Sequence, residues 1–375
     1  MPLPARNNYY LLLYPFSLLY GLIIWIRNFL FDYKMIQSVE FPIPIISVGN
    51  ITVGGTGKTP HIEYLVELLR DEFQVATLSR GYKRKTRNFI LADKESGVMD
   101  IGDEPVQIKH KYPDINVAVD RRRVNGVREL MARIPDLDVI LLDDAFQHRH
   151  IKPGLSVLLI DFNRPLSEDH LLPAGRLREQ GYERRRANII LITKCPDRLK
   201  PIERRIIIKD LKLYPFQHLF FSKLNYGEPV PLFDDTKNPV SLADMKASKP
   251  QILMVTGIAG PRLYKKHLRS ISTNITELTF PDHHEFNEKD LASMLESYEK
   301  MEGDERFIFT TAKDATRLRK FTNIAAPVRE RMFYVPVGIE ILNEDGETFD
   351  NNIRNYVRDN KRDNILHKQQ DKDQA

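Results

Sequence analysis

"SVGNITVGGTGKTP", residues 47–60, is the stretch on which the reading of this chain turns. Its second half, Gly-Gly-Thr-Gly-Lys-Thr, has the make-up of a loop that wraps nucleotide phosphates. The usual pattern, G-x-x-x-x-G-K-[ST], wants a glycine five residues before Gly57, and Thr52 stands there. The stretch is either a phosphate cradle with one irregular corner or a glycine-rich turn that happens to hold a lysine. The flanks favour the cradle. "PIPIISVGN" reads as a buried strand, and "TPHIEYLVELLRDEF" puts Ile62, Leu65, Val66 and Leu69 on one helical face. That order places free N–H groups and the positive end of a helix dipole at the loop. Gly54, Gly55 and Gly57 let the backbone turn its amides toward phosphate oxygens, Lys58 adds a cation, and the Thr59 hydroxyl offers a ligand to Mg²⁺. A plain turn explains the glycines but not Lys-Thr at a helix start. Residues Thr52, Val53, Gly54, Gly55, Thr56, Gly57, Lys58 and Thr59 are therefore the candidate nucleotide-phosphate contacts.

Working outward, short apolar runs alternate with amphipathic stretches. "QVATLS" (74–79), "INVAV" (115–119), "DVILLDD" (138–144), "LSVLLIDF" (155–162) and "ANIILITK" (187–194) are strand candidates separated by helical segments. Continuous apolar strands in that setting predict a parallel sheet covered on both faces. A second set follows at 251–257, 275–280, 306–311 and 333–337. The expected fold is α/β: a P-loop NTPase-type parallel-sheet core over 37–210, a proline-bearing connector over 211–250, and a second, smaller α/β unit over 251–350. A polar tail over 351–375 completes the chain, beginning with enough apolar residues for a short helix.

The first 36 residues stand apart. "LLLYPFSLLYGLIIWIRNFLF", residues 11–31, is almost wholly apolar and shows hardly any polar stripe. Its uninterrupted part, Leu11 to Ile26, rises about 24 Å as a helix, short of a bilayer core of about 30 Å. Tyr9, Tyr10, Tyr14, Tyr20 and Trp25 supply interfacial aromatics, with Arg27 and Lys34 as flanking cations, so a helix lying in or dipping into one leaflet is expected. In 375 residues there is one cysteine, Cys195, which rules out an internal disulfide framework. Net charge is only +5, but basic residues bunch at 83–85, 121–123 and 184–186, which suits anionic partners. The arginine triplets lack the interleaved aromatics of a stacking surface, so no nucleic-acid partner is expected.

A phosphate cradle predicts an acidic residue at the tip of another sheet strand, on the metal side of the nucleotide. "DVILLDDAFQHRH" delivers Asp143 and Asp144 where its strand must end, with Gln147, His148 and Arg149 close behind. Two other stretches imitate guanine-reading motifs. "ITKCPD" (192–197) has threonine in place of asparagine and a Lys-to-Asp interval one residue too long, and "TTAKDATRL" (310–318) has Lys313 and Asp314 adjacent. Neither supports GTP.

"VGNITVGGTGKTP", "LSRGY", "GDEP", "DDAFQHR", "LPAGRLRE" and "FPDHHEF", in this order behind an apolar N-terminus, resemble the tetraacyldisaccharide 4'-kinase family from about Leu11 to Gly338. The resemblance implies that the missing glycine at Thr52 belongs to the family pattern. It implies ATP and Mg²⁺ at Gly55–Thr59, with Asp143 or Asp144 as the acidic metal-side partner. It places Asp103 of "GDEP" in the catalytic machinery with Glu104 beside it on the metal side, and His283 as its partner. Gln147, His148, Arg176 and one arginine of 121–123, taken as Arg123, are implied as nucleotide, metal or phosphate contacts. The implied reaction carries the ATP γ-phosphate to the 4'-hydroxyl of an acylated glucosamine disaccharide phosphate at the cytoplasmic face of an inner membrane. No obligate protein partner is implied.

The residues agree with that chemistry. A sugar hydroxyl needs a proton acceptor to attack phosphorus, and an Asp–His pair can orient and stabilise an imidazole that takes the proton. The rival is a membrane-associated P-loop ATPase switch acting through partner binding. It needs Gly57, Lys58, Thr59 and Asp143 but has no use for Asp103 and His283. On this reading the N-terminal helix serves access to lipid far more than ATP binding.

Overall fold

The computed structural model describes residues 9–233, 241–282, 284–303 and 305–373. It divides into two compact units, residues 1–224 with 339–375, and residues 225–338.

The larger unit is built on β1 (Ile45–Gly49), β2 (Val75–Ser79), β3 (Ile90–Leu91), β4 (Asn116–Val119), β5 (Val139–Asp143), β6 (Leu155–Asp161), β7 (Ile189–Thr193) and β8 (His218–Tyr226). The second sheet uses β9 (Val230–Pro231), β10 (Gln251–Thr256), β11 (Ile275–Thr279), β12 (Arg306–Thr311) and β13 (Met332–Val335), after which β14 (Val337–Ile341) returns to the first. The nine-stranded order is β14-β8-β7-β6-β1-β5-β2-β4-β3, and β4 through β8 in that list run parallel apart from the antiparallel edge pair β3 and β4. β1 therefore lies in the interior, which explains why "IISVG", "VILLD" and "IILIT" are buried at every position. The helix α2, defined below, seats Ile62, Leu65, Val66 and Leu69 against Ile46 and Val48 of β1. Each such side chain contributes about 1.5–3 kcal/mol over an exposed one, enough to fix the helix on the sheet.

Two boundaries differ from expectation. β8 falls inside the stretch read as a connector, yet pairs in parallel with β7 from Ile189↔His218 to Ile192↔Phe221 and buries Phe220 and Phe221. The prolines on either side of it obscured a strand that carries only a short apolar core. The tail read as beginning at 351 continues a helix that spans Asp345–Asp373, and its Phe349, Ile353 and Val357 enter the main core. Their four-residue spacing on an otherwise polar helix makes one narrow apolar stripe. The smaller unit's sheet runs β11-β10-β12-β13-β9, parallel except for β9, whose Pro231 sits on an edge where no ladder N–H is needed.

The N-terminal helix α1 (Tyr9–Asp32) is about 36 Å long and apolar enough to cross a membrane by length and composition. It does have a stripe, with the usual polarity reversed. Ser17, Gly21, Asn28 and Phe31, spaced by four, seven and three residues along one helical face, are buried against the protein, while Leu18, Leu19, Leu22, Ile23, Trp25, Ile26 and Phe29 face outward. At Gly21 a Cβ would meet the tip of the Leu171 side chain at 2.7 Å, so the helix approaches residue 171 closely there. Arg27, read as a flanking cation, turns inward instead: it donates to the Gln147 carbonyl and faces Glu179 at 3.6 Å.

Candidate active site

The phosphate-loop residues leave β1 extended and turn late. Thr52 pairs in an antiparallel bridge with Leu177; on either side, the Val53 N–H donates to the Arg176 carbonyl at 2.7 Å and the Arg178 N–H to the Ile51 carbonyl at 2.8 Å. The sharp turns come at Gly54 and Gly57, with φ of 96° and 91°, the left-handed region that favours glycine. Gly57 then caps α2 (Lys58–Leu69), whose first turn opens on Lys58 and Thr59. Across the base of the loop, the Asn50 amide donates to the Thr56 hydroxyl at 2.7 Å, and the Thr193 hydroxyl donates to the Thr56 carbonyl at 2.8 Å.

The register of β1 on β5 sets Val48 opposite Asp143, so the acidic strand tip lies directly beside the start of the loop. The two aspartates have opposite environments. Asp144, at a positive φ of 47°, receives a forked contact from Arg178 at 2.7 and 3.1 Å and lies 3.6 Å from Lys58. Burial works against its charge, but Lys58 and Arg178 prevail and hold its pKa down to about 2. Asp143 is buried, and its Oδ1 has no hydrogen-bond partner among the described residues. Burial first, then the nearby charge of Glu104, push its pKa up to about 7 against the pull of Lys58. Glu104 and the buried Asp103 open a helix reached through α3 (Val98–Ile101) and Gly102, namely α4 (Asp103–Lys111).

Arg123 opens α5 (Arg123–Arg133) and is buried, donating to the carbonyls of Asp120 at 3.0 Å and Asp143 at 3.4 Å; Arg121 and Arg122 are exposed. Burial lowers its pKa to about 10. Gln147 braces the loop from the side, its amide donating to the Asn50 carbonyl at 2.9 Å. His148 has a buried Nε2 with no partner, and burial together with Arg123 brings its pKa down to about 4, so it is neutral near pH 7. Arg176 points outward while its main chain holds the loop. His283 lies outside the described residues.

Sequence reasoning passed over three participants. Arg178, two residues beyond Arg176 in "LPAGRLRE", is the arginine that reaches Asp144 and Asn50. Lys194, in the stretch dismissed as a false guanine motif, donates to the Gly55 carbonyl and pairs with Asp161 at 2.9 Å. His61 is sealed under the loop, with Nδ1 at 2.6 Å from the Gly57 carbonyl and Nε2 at 3.0 Å from the Ser222 hydroxyl. Only Arg178 had a signal, its charge in an arginine-rich stretch. In the smaller unit, the buried Asp314 of "TTAKD" accepts from the Gly257 N–H at 2.9 Å and the Thr311 hydroxyl at 2.8 Å, which ties a helix start to a strand end.

The residues present fit a magnesium nucleotide. Two left-handed glycines, a helix-start lysine and hydroxyl, and a buried carboxylate oxygen with nothing to bond to converge on one loop. Among the described residues no three His, Cys, Asp or Glu side chains gather to hold a metal by themselves. A Mg²⁺ here would share its coordination between protein oxygens and phosphate, as that ion usually does. Fold and site together define a P-loop phosphotransferase.

The comparisons sharpen this class. The family model for tetraacyldisaccharide-1-P 4'-kinase matches residues 9–358. A tetraacyldisaccharide 4'-kinase of Bacteroides fragilis is 47% identical over 96% of this chain and 96% of its own length. One of Bacteroides thetaiotaomicron is 45% identical over 93% and 94%. A crystal structure of the Aquifex aeolicus family member LpxK, in complex with ATP, superimposes with a TM-score of 0.69 at 27% identity, covering 93% of this chain and 99% of that one. The chain belongs to the tetraacyldisaccharide-1-P 4'-kinase family, and it is an ATP- and Mg²⁺-dependent kinase of lipid A biosynthesis.

Proposed function

We propose that this kinase works at the cytoplasmic face of the inner membrane, with the outward face of α1 among acyl chains, and divides the labour of its two strand-tip aspartates. Asp144 stays ionised and holds Lys58 and Arg178 in place. Asp143, together with the Thr59 hydroxyl and the nearby Glu104, would serve the metal side of the nucleotide. The contrast between a carboxylate gripped by Arg178 and Lys58 and a buried one whose Oδ1 has no hydrogen-bond partner among the described residues carries this assignment. The bound ion would supply charge neutralisation for the β- and γ-phosphate oxygens. Loop amides and Lys58 orient the donor, and Arg123 fixes the end of β5 by holding its last carbonyl. Gln147 steadies the loop, and His148 and Arg176 are left for phosphate or sugar contacts at the rim. Asp103 serves the proton transfer from the 4'-hydroxyl of the tetraacylated, phosphorylated disaccharide, and His283 keeps the partner's role that the family resemblance implies.

The test is Asp143→Asn beside Asp144→Asn, with lipid phosphorylation followed by thin-layer separation and nucleotide binding measured separately. Asp143→Asn should lower transfer by about 100-fold or more while the loop still binds nucleotide. Asp144→Asn should weaken nucleotide binding itself. A near-normal rate in Asp143→Asn would remove Asp143 from the metal side.

A further inference from the structure

We propose that α1 is a working part of the nucleotide site and that Tyr20 is a positioning residue for ATP, acting through a strap formed by residues 169–179. The strap is fastened on both sides. Toward the loop, its main chain pairs with Ile51–Val53, and the Arg178 guanidinium donates to the Asn50 carbonyl at 2.9 Å as well as to Asp144. Toward α1, the Tyr20 hydroxyl donates to the Arg178 carbonyl at 2.9 Å. Ser17 donates to the Leu171 carbonyl at 3.0 Å and accepts from the Ala174 N–H at 2.9 Å. One residue, Arg178, thus spends its N–H and side chain on the loop and its carbonyl on the membrane helix.

A second line runs in parallel. Arg27 donates to the Gln147 carbonyl, and the Gln147 amide donates to the same Asn50 carbonyl that Arg178 holds. The buried Glu179, next along the strap, lies between Arg27 and Arg186. Both lines end on the irregular corner of the phosphate loop, which has no glycine and depends on outside contacts for its shape. Ser17, Tyr20 and Arg27 of α1 bond inward to the protein while Leu18, Leu19, Leu22 and Ile23 stay exposed, so separate residues carry the two duties. This differs from the expectation that the helix serves access to lipid far more than ATP binding.

The inference rests on the loop being the ATP site, and the experiment keeps the two apart. Full-length wild type, Tyr20→Phe, Leu19→Ser and Lys58→Ala are compared for binding of a non-hydrolysable ATP analogue with Mg²⁺, for partitioning onto phosphatidylethanolamine–phosphatidylglycerol vesicles, and for KM and kcat. Tyr20→Phe should raise the ATP-analogue Kd and the KM for ATP about 5–10-fold, the effect of one lost hydrogen bond with its acceptor left buried. Its lipid KM and vesicle partitioning should stay at wild-type values. Leu19→Ser, altered on the exposed face, should show the reverse. Wild-type nucleotide affinity in Tyr20→Phe, or a loss in it confined to kcat at unchanged KM for ATP, overturns the proposal. Unweakened nucleotide binding in Lys58→Ala would instead undo the reading of the loop, whatever Tyr20→Phe does.

Discussion

Replacing His61 by glutamine tests how the first turn under the phosphate loop is sealed. The imidazole is only 3% exposed and sits between the Gly57 carbonyl and the Ser222 hydroxyl. Burial drives its pKa from 6.5 to about 4; the Gly57 hydrogen bond opposes that shift and the Lys194 charge adds to it. Below pH 6.5 the unfolded chain therefore binds a proton at this position that the folded chain refuses. Stability then falls with pH by up to about 1.4 kcal/mol per unit, and the fall ends near pH 4, where the folded form also takes up the proton. Between pH 7.5 and pH 5 these two pKa values give a loss of about 2 kcal/mol through His61. Urea titrations of wild type and His61→Gln in detergent at both pH values isolate it, because glutamine does not titrate and every other group is shared. Wild type should lose about 2 kcal/mol more than the variant on acidification. Equal losses would mean that His61 titrates near its ordinary value and is not sealed against Gly57.

Two substitutions in the loop should separate backbone strain from lost contacts. In Gly57→Ala the new methyl would meet the His61 ring at 3.5–3.6 Å, ordinary contact, so the penalty is the left-handed backbone alone. About 1–2 kcal/mol of stability should go, with weaker ATP binding in calorimetry. Thr52→Gly restores the usual phosphate-loop glycine, yet should bring no gain in ATP affinity and should cost roughly 1 kcal/mol in thermal unfolding, since an extended, paired position has no use for glycine's freedom.

Much of the larger unit could be read from local pattern. The runs "IISVG", "VILLD" and "IILIT" are rich in apolar residues and buried at every position because parallel strands are covered on both faces, and the strand–loop–helix around Lys58 needs only neighbours in sequence. What escaped was set by distant contacts. β8 is a strand because β7 pairs with it, and the helix Asp345–Asp373 joins the core because Ile353 and Val357 find apolar partners there. Arg176 and Arg178, two residues apart, share a side of an extended segment, so the choice between them waits on where the segment pairs with Thr52 and which of the two then contacts Asp144 and Asn50. No spacing in "PAGRLRE" reveals that pairing partner. Arg27 misled for a similar reason: a cation near the end of an apolar helix reads as an interfacial anchor until a buried Glu179 is known to lie opposite.

The absent glycine at Thr52 has a structural cause of the same kind. A phosphate loop must bend its chain so that several amides point one way, and a glycine near its start usually relaxes the bend. Here the bend is postponed to Gly54 and Gly57, and the preceding corner is kept straight by two hydrogen bonds to the strap. Such a corner is only as rigid as the strap; Ser17 and Tyr20 of α1 hold the strap by its main chain, and Arg27 holds Gln147, which bonds the Asn50 carbonyl. A loop that relied on its own glycine would owe nothing to α1. By giving that freedom up, the chain ties the geometry of its donor site to the apolar helix proposed above to lie among acyl chains.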